Sequence, residues 1–517
     1  MKHIKDSGLL KELFLRSLKG RAEVYRLVGR FDAGLSDLQF ASRASRGAEE
    51  RAEIDLLIAD NLIQGPCDYR RAQKIIRKVL RATAAAVPVR LRSRGFMALG
   101  NVYLLLGDYR RAQNSLWQAR QYMKKINDRL GLSRVYHILG TVQEKFGAYG
   151  AAMKFLQQAL AESVRHKFHL NTGYICNEIG LLCQEESKFD EAAQYYERAL
   201  VKAQQAGDKR LAAAIQGNMG IVYGSTNDFP KALVYFHQYL AACREMGFLR
   251  GTGSVSGNIG SILLLQGDTQ AAFRYMNEHL SIAAKIGYKN DITLASYNLG
   301  LLYCVRGEWE RARASFRRAL GVAQELRDKI SIGFARLGMA QVDIETVRLF
   351  PAGINLAAAR RIFAAIKDKV RLALIQYHQA QIDMARGNPG RALALTQAAQ
   401  ASIAGMAERD TEINCLRMIG ITRLELARRR NDARHAVDKT SLAEAEKYLL
   451  RSLEHSQDMG LRLETAKSRV VLGRLYLTQG RIREARDMVN QARKFFTRAQ
   501  ARPALREIGK LEKEIPS

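Results

Sequence analysis

GNVYLLLGDYRRA, residues 100–112, and GTVQEKFGAYGAA, residues 140–152, carry a glycine, a turn and an alanine at the same offsets, 40 residues apart. The spacing continues without a slip through Gly180, Gly220, Gly260 and Gly300. Seven residues after each glycine comes a turn, from Gly107-Asp108-Tyr109 to Gly307-Glu308-Trp309, and twelve after it comes Ala112, Ala152, Ala192, Ala232, Ala272 or Ala312. Self-similarity at a fixed period marks a repeat architecture. A helix period on both sides of each turn predicts two antiparallel helices, A and B, per unit. The glycine of helix A and the alanine of helix B let the two backbones approach, and Leu116, Leu156, Tyr196, Phe236, Met276 and Phe316, sixteen after the glycine, fill the space between them. One such pair cannot bury its own apolar faces, so the pairs must stack.

The pattern decides the reading of RGTGSVSGNIG, residues 250–260. A phosphate-cradling loop needs a buried strand before it and a βαβ setting. Here KALVYFHQYLAACREMGFLR precedes it with a helical period, and Gly260 is the repeat glycine of a helix A. The stretch therefore predicts a helix with unusually close neighbours.

With Leu99-Gly100-Asn101 and Asn298-Leu299-Gly300 in register, the chain resembles the tetratricopeptide-repeat family, in the longer-helix branch of Leu-Gly-Asn adaptors, kinesin light chains and bacterial Rap-type regulators. The resemblance implies an all-α, right-handed superhelical solenoid of about twelve helix pairs with a C-terminal capping helix. It also implies a concave face, lined by A helices, that holds a peptide or helix of a partner. Outside the regular block the frame is read with slips: Ala22 and Asp60 take the glycine position upstream, and Gly338 leads to Ala352 with two extra residues near Pro351. Ala380, Gly420 and Gly473 lead the last units. The segments are degenerate units over 1–92, regular units over 93–332, C-terminal units over 333–498 with a basic insertion near 428–440, and a cap over 499–517. Thirteen residues are inserted between Gly420 and Gly473, at ARRRNDARHAVDKT, expected as a loop between two helices.

Of 517 residues, 47% are hydrophobic, with no apolar run long enough to span a membrane. The N-terminus breaks its apolar residues with Lys5, Asp6, Lys11 and Glu12, unlike a secretory leader, so a cytoplasmic location is expected. Six cysteines without CxxC spacing (67, 176, 183, 243, 304, 415) fit free core thiols. The net charge of +31 divides as +9, +3, +3, +8 and +8 over residues 1–100, 101–200, 201–300, 301–400 and 401–517, and points to an acidic partner.

No P-loop, HExxH, nucleophile elbow or metal-spaced Cys/His set is present, so neither an enzyme nor a cofactor is expected. His166 and His169 fall at a junction between units with no third ligand in sequence. Asn218, Asn258 and Asn298, with Asn177 one position earlier in its unit, form a ladder able to hold an extended backbone or to bond neighbouring helices. Ser254 and Gly257 are expected beside it on the concave face. Arg94 and Arg134, at one early A-helix position of successive units, could clamp a carboxylate or phosphate. The chaperone-tail clamp is not matched: its positions hold Met97 with Asn101 and His137 with Thr141. Arg428, Arg429, Arg430 and Arg434 form a basic cluster without interleaved aromatics. The function expected is a non-catalytic scaffold or regulatory adaptor. The alternatives are a nucleic-acid-associated or transcription-regulatory protein, or the sensor component of a larger signalling system.

Overall fold

The computed structural model describes residues 8–27, 30–45, 47–65, 68–82, 87–406, 409–434 and 439–516, which form 25 α-helices and no strand. Cys67 and residues 435–438 of the basic insertion lie outside the described residues. Two compact units are present, residues 1–222 and 223–517. In the first, α1 (Gly8–Leu27) pairs with α2 (Phe31–Ala44), α3 (Ala48–Gln64) with α4 (Tyr69–Arg81), and α5 (Val89–Leu105) with α6 (Tyr109–Lys125). The next pairs are α7 (Arg129–Lys145) with α8 (Tyr149–Arg165) and α9 (His169–Glu185) with α10 (Phe189–Gln205). The boundary falls inside α11 (Lys209–Ser225).

The second unit begins with α12 (Phe229–Glu245), followed by the pairs α13 (Leu249–Leu265) with α14 (Thr269–Ile286) and α15 (Lys289–Arg306) with α16 (Trp309–Leu326). Next come α17 (Lys329–Glu345) with α18 (Leu349–Ala365) and α19 (Lys369–Ala385) with α20 (Pro389–Ile403). The last are α21 (Arg409–Arg434) with α22 (Lys439–Asp458), α23 (Arg462–Thr478) with α24 (Ile482–Arg498), and the single α25 (Arg502–Glu514).

Local chemistry sets these boundaries. From residue 107 to residue 387, every twentieth residue has a left-handed φ between 54° and 82°. Many are glycine, asparagine or serine, which end a helix at small steric cost. Asp68, Asp108, Asp128, Asp228, Asp268 and Asp368 then cap the next helix, each accepting a hydrogen bond from the backbone N–H three residues on. Within the pairs, a Cβ at Gly100, Gly140, Gly180, Gly260 or Gly300 would strike Leu116, Leu156, Tyr196, Met276 or Phe316, the residues sixteen positions later. The same geometry accounts for RGTGSVSGNIG, which lies wholly in or beside α13: Gly251 faces Phe248 and Cys243, Gly253 faces Ile282, and Gly257 faces His279. Glycine inside a helix costs about 1 kcal/mol relative to alanine, and here it admits a side chain of a neighbouring turn or helix.

Two expectations are corrected. The slip near Pro351 is absent: α17, α18, α19, α20 and α21 start at 329, 349, 369, 389 and 409, so the repeat continues in frame. Ala340 takes the glycine position, and Gly338 instead gives room to Phe316 of the preceding pair. The basic insertion is helical through Arg434, as an extension of α21. Its length is as expected, because Gly420 meets Leu449 and the Ala445 carbonyl, both thirteen residues later than the regular offset.

Unit 2 closes on itself. Leu461, 1% exposed, shares a core with Phe229, Ile259 and Ile262. Gln266 Nε2 donates to the Gly460 carbonyl at 3.0 Å, and Thr269 Oγ1 to the Ala499 carbonyl at 3.0 Å. Gly267 and Gly307, both at left-handed turns, make room for Phe495 and Pro503. The C-terminal helix is therefore more than a polar cap, since Ile508 and Leu511 are buried while Pro503 seats on the α15–α16 turn.

Candidate functional site

In unit 1 the A helices α5, α7 and α9 line an open cavity of about 450 Å³. Arg134, His137 and Ile138 line it from α7, and Phe168, Asn171 and Tyr174 from the start of α9. A smaller cavity of about 90 Å³, lined by Asp60, Arg94 and Asn101, adjoins it; Met97 and Ile138 line both. Arg94, Asn101 and Arg134 are thus brought to one groove. Arg134 is exposed and Arg94 half-buried. Arg94 and Arg90 add to the Lys19 hydrogen bond that, against burial, holds Glu53 below the ordinary carboxylate range.

The floor is hydrogen-bonded within itself and carries a neutral histidine. Asn171 Nδ2 donates to Ser133 Oγ at 2.8 Å and to Ser163 Oγ at 3.3 Å, and Ser133 Oγ donates to the Ala159 carbonyl at 2.7 Å. Burial pushes His137 down to about 4, so its imidazole is uncharged at neutral pH. Tyr174, which also lines the cavity, donates to Asp208 Oδ2 at 3.0 Å. Sequence reasoning noted Met97 and His137 only as departures from a known clamp. Phe168 and Tyr174 gave no signal, because their position next to the α7 face depends on how one pair stacks on the next.

The asparagine ladder is bonded between helices. Asn218 Nδ2 donates to Asn177 Oδ1 at 3.0 Å, and in unit 2 Asn298 Nδ2 donates to Ser261 Oγ at 3.4 Å. Asn258 is half-buried. Ser254 Oγ donates to Asp291 Oδ2 at 3.4 Å. Gly257, expected on the concave face, is buried against the His279 ring of its own pair.

The A helices of unit 2 bring charges together. Arg417 Nη2 donates to Glu464 Oε2 at 2.6 Å, and Lys467 Nζ to Glu464 Oε1 at 2.8 Å. Burial alone would raise Glu464, yet Lys467 and Arg417 hold it down to about 2. His378 is pushed down to about 4 and the Tyr377 phenol up to about 12, both chiefly by burial. Cys176, Cys183, Cys243, Cys304 and Cys415 are free and buried. His166 ends α8 beside Glu162, and His169 begins α9 near Lys202 Nζ at 3.4 Å.

The basic cluster is corrected in conformation. Arg428 and Arg429 sit on a helix, where Arg428 Nη2 donates to Thr478 Oγ1 at 2.9 Å and Arg429 donates to Glu425 and to the Gly387 carbonyl, each at 2.9 Å. Arg430 and Arg434 fall on the same helix, with side chains outside the described residues. Among the described residues, no helix is long and apolar enough to cross a membrane.

The tetratricopeptide-repeat family matches residues 173–245, 251–325 and 433–498, and the family described as anaphase-promoting complex subunit 5 matches residues 101–167. No curated protein matches the chain in sequence. Among solved structures, the apo quorum sensor NprR from B. thuringiensis is similar at 14% identity and a TM-score of 0.51, with 68% of this chain and 97% of that one covered. The apo form of RapI is similar at 12% identity and a TM-score of 0.52, covering 68% and 98%. The likeness extends to fold, and with the helix-pair repeat and the matched segments it shows that the chain is built as an array of tetratricopeptide-type repeats.

Proposed function

We propose that the chain is a non-catalytic interaction protein, a scaffold or regulatory adaptor, whose unit 1 groove holds an acidic peptide of a partner. The observation that carries this reading is the pairing of two adjoining cavities with Arg94 and Arg134 along one face. An apolar side chain of the peptide fills the larger cavity over Ile138, Phe168 and Tyr174. A carboxylate near it is met by the guanidinium groups, whose planar fork suits bidentate pairing. The neutral His137 adds no charge to the floor and keeps the recognition on the arginines. Asn177 and Asn218, bonded to each other and lining neither cavity, act as rivets between helices and do not touch the peptide.

The test is a pull-down from native extract with the wild-type chain beside Arg94→Ala/Arg134→Ala and Asn218→Ala. Partners lost in the arginine variant and kept in the asparagine variant support the reading. Partners kept in the arginine variant overturn it. The nucleic-acid alternative has less support, since the described arginines of its strongest cluster are already bonded within the fold.

A further inference from the structure

Two successive repeats of unit 2 place a buried aspartate at the same position with different surroundings. In the first, Asp343 of α17 is 1% exposed and accepts a hydrogen bond from Arg313 Nη1, which reaches it from α16. Asn355 Nδ2 of α18 donates to its second oxygen at 3.2 Å, and Arg313 is itself 4% exposed. Forty residues on, Asp383 of α19 is also 1% exposed. Gly353 stands where the arginine was, and Leu395 where the asparagine was. Among the described residues Asp383 Oδ2 has no hydrogen-bond partner. Arg391 Nε lies 3.5 Å from it as an ion pair from the rim, with its side chain 70% exposed.

The surface where the missing arginine would start is open, because a Cβ at Gly353 would meet nothing within 4 Å, while Asp383 Oδ2 lies buried beneath the Arg391 ion pair. The rim is apolar. Val347, Phe350 and Ile354, spaced to share one face, are 73%, 75% and 54% exposed, where the preceding repeat has Gly307, Glu310 and Ala314. Val347 also holds a left-handed φ of 57°, a conformation that β-branched residues rarely adopt.

We infer that the outer face of α18 is a docking site for an arginine-bearing amphipathic segment of a partner protein, whose guanidinium enters above Gly353 and pairs with Asp383 as Arg313 pairs with Asp343. Charge complementarity selects this occupant, since a hydrogen-bonded cation offsets the solvation a carboxylate loses on burial, and Arg391 reaches Asp383 only as a 3.5 Å ion pair from the exposed rim. The apolar neighbours of that arginine cover Phe350 and Ile354. Arg391 beside the site restricts the segment to one central cation with neutral or acidic flanks. The site uses residues of unit 2 alone.

The probe is a fluorescent peptide, acetyl-Glu-Leu-Leu-Arg-Leu-Leu-Glu-amide, with a second peptide in which citrulline replaces the arginine, titrated by anisotropy against the full chain. The arginine peptide is expected to bind about tenfold tighter, a difference of about 1.4 kcal/mol. Asp383→Asn removes that preference. Gly353→Arg abolishes binding of the arginine peptide and raises the thermal midpoint by about 2–4 °C. Phe350→Ser, on the open surface, keeps the fold and weakens both peptides alike. Equal binding of the two peptides, no binding of either at about 1 mM, or an arginine preference that survives Asp383→Asn overturns the inference. A concentration-dependent dimer lost on Phe350→Ser, with no peptide bound, assigns the face to a second copy and overturns it as well.

Discussion

The two compact units use the same helix pair and treat its inner face differently. In unit 1, α5, α7 and α9 leave an open cavity with arginines at its edge and an uncharged floor. In unit 2, α21 and α23 fill the equivalent face with Arg417, Glu464 and Lys467, and the last helices seat on the turns that follow α13 and α15. A repeat thus supplies a frame, and a few side chains decide whether the face of its A helices is left open as a cavity or is filled by charges of the chain itself. The contrast also separates two kinds of polar residue: Arg134 is exposed beside a cavity, whereas Arg417 is 5% exposed and fully committed.

The comparison can be broken at its firmest point first. Arg417→Met leaves the Glu464 carboxylate buried with only Lys467, and is expected to cost about 3–5 kcal/mol, seen as a lowered midpoint of unit 2 in calorimetry while the unit 1 transition stays in place. Leu461→Ala opens the contact with Phe229 and Ile262 and is expected to cost about 2–4 kcal/mol in the same transition. A single shift of both transitions would show that the two units do not unfold separately.

Acid separates the units less sharply. His137 and His378 have folded values near 4, below the ordinary 6.5, so the unfolded chain takes up their protons first. Their contribution is present above about pH 6.5 and is lost as pH falls toward 4. At pH 5 the loss is about 2 kcal/mol for His378, and smaller for His137, which borders an open cavity. His378→Gln should flatten the acid limb of unit 2, measured as denaturant midpoint against pH. An unchanged limb would place His378 in contact with water.

The smallest effect sharpens the role of the ladder. Asn218→Ala removes one hydrogen bond to Asn177 and is expected to cost about 1 kcal/mol, with no change in partner binding. A loss of binding at unchanged stability would return that asparagine to the ligand.

The fold was legible because three positions per pair are constrained by packing: Gly100 can only be small beside Leu116, and Gly107 occupies a left-handed turn. The frame was misread at Gly338, where a glycine serves the preceding pair and Ala340 fills the repeat position, since small size is all that either place requires. The insertion was read as a loop because thirteen extra residues fall between the two helices of one unit. Its arginines and alanines are good helix formers, and they extend α21 by two further turns. Arg94, Asn101 and Arg134 could be found from repeat offsets. The cavity between them could not, because Phe168 and Tyr174 enter it from a neighbouring pair whose stacking angle no local pattern records. The closure of unit 2 through Leu461 and Ala499 was equally hidden, as it joins residues about two hundred positions apart.

Selection of random displayed 12-residue peptides on the immobilised chain, run in parallel on Arg94→Ala/Arg134→Ala, tests the central claim most directly. The groove account predicts enriched peptides with a carboxylate next to a bulky apolar residue, and loss of that enrichment in the double variant. Enrichment without a carboxylate, or one that persists when both arginines are gone, would contradict it.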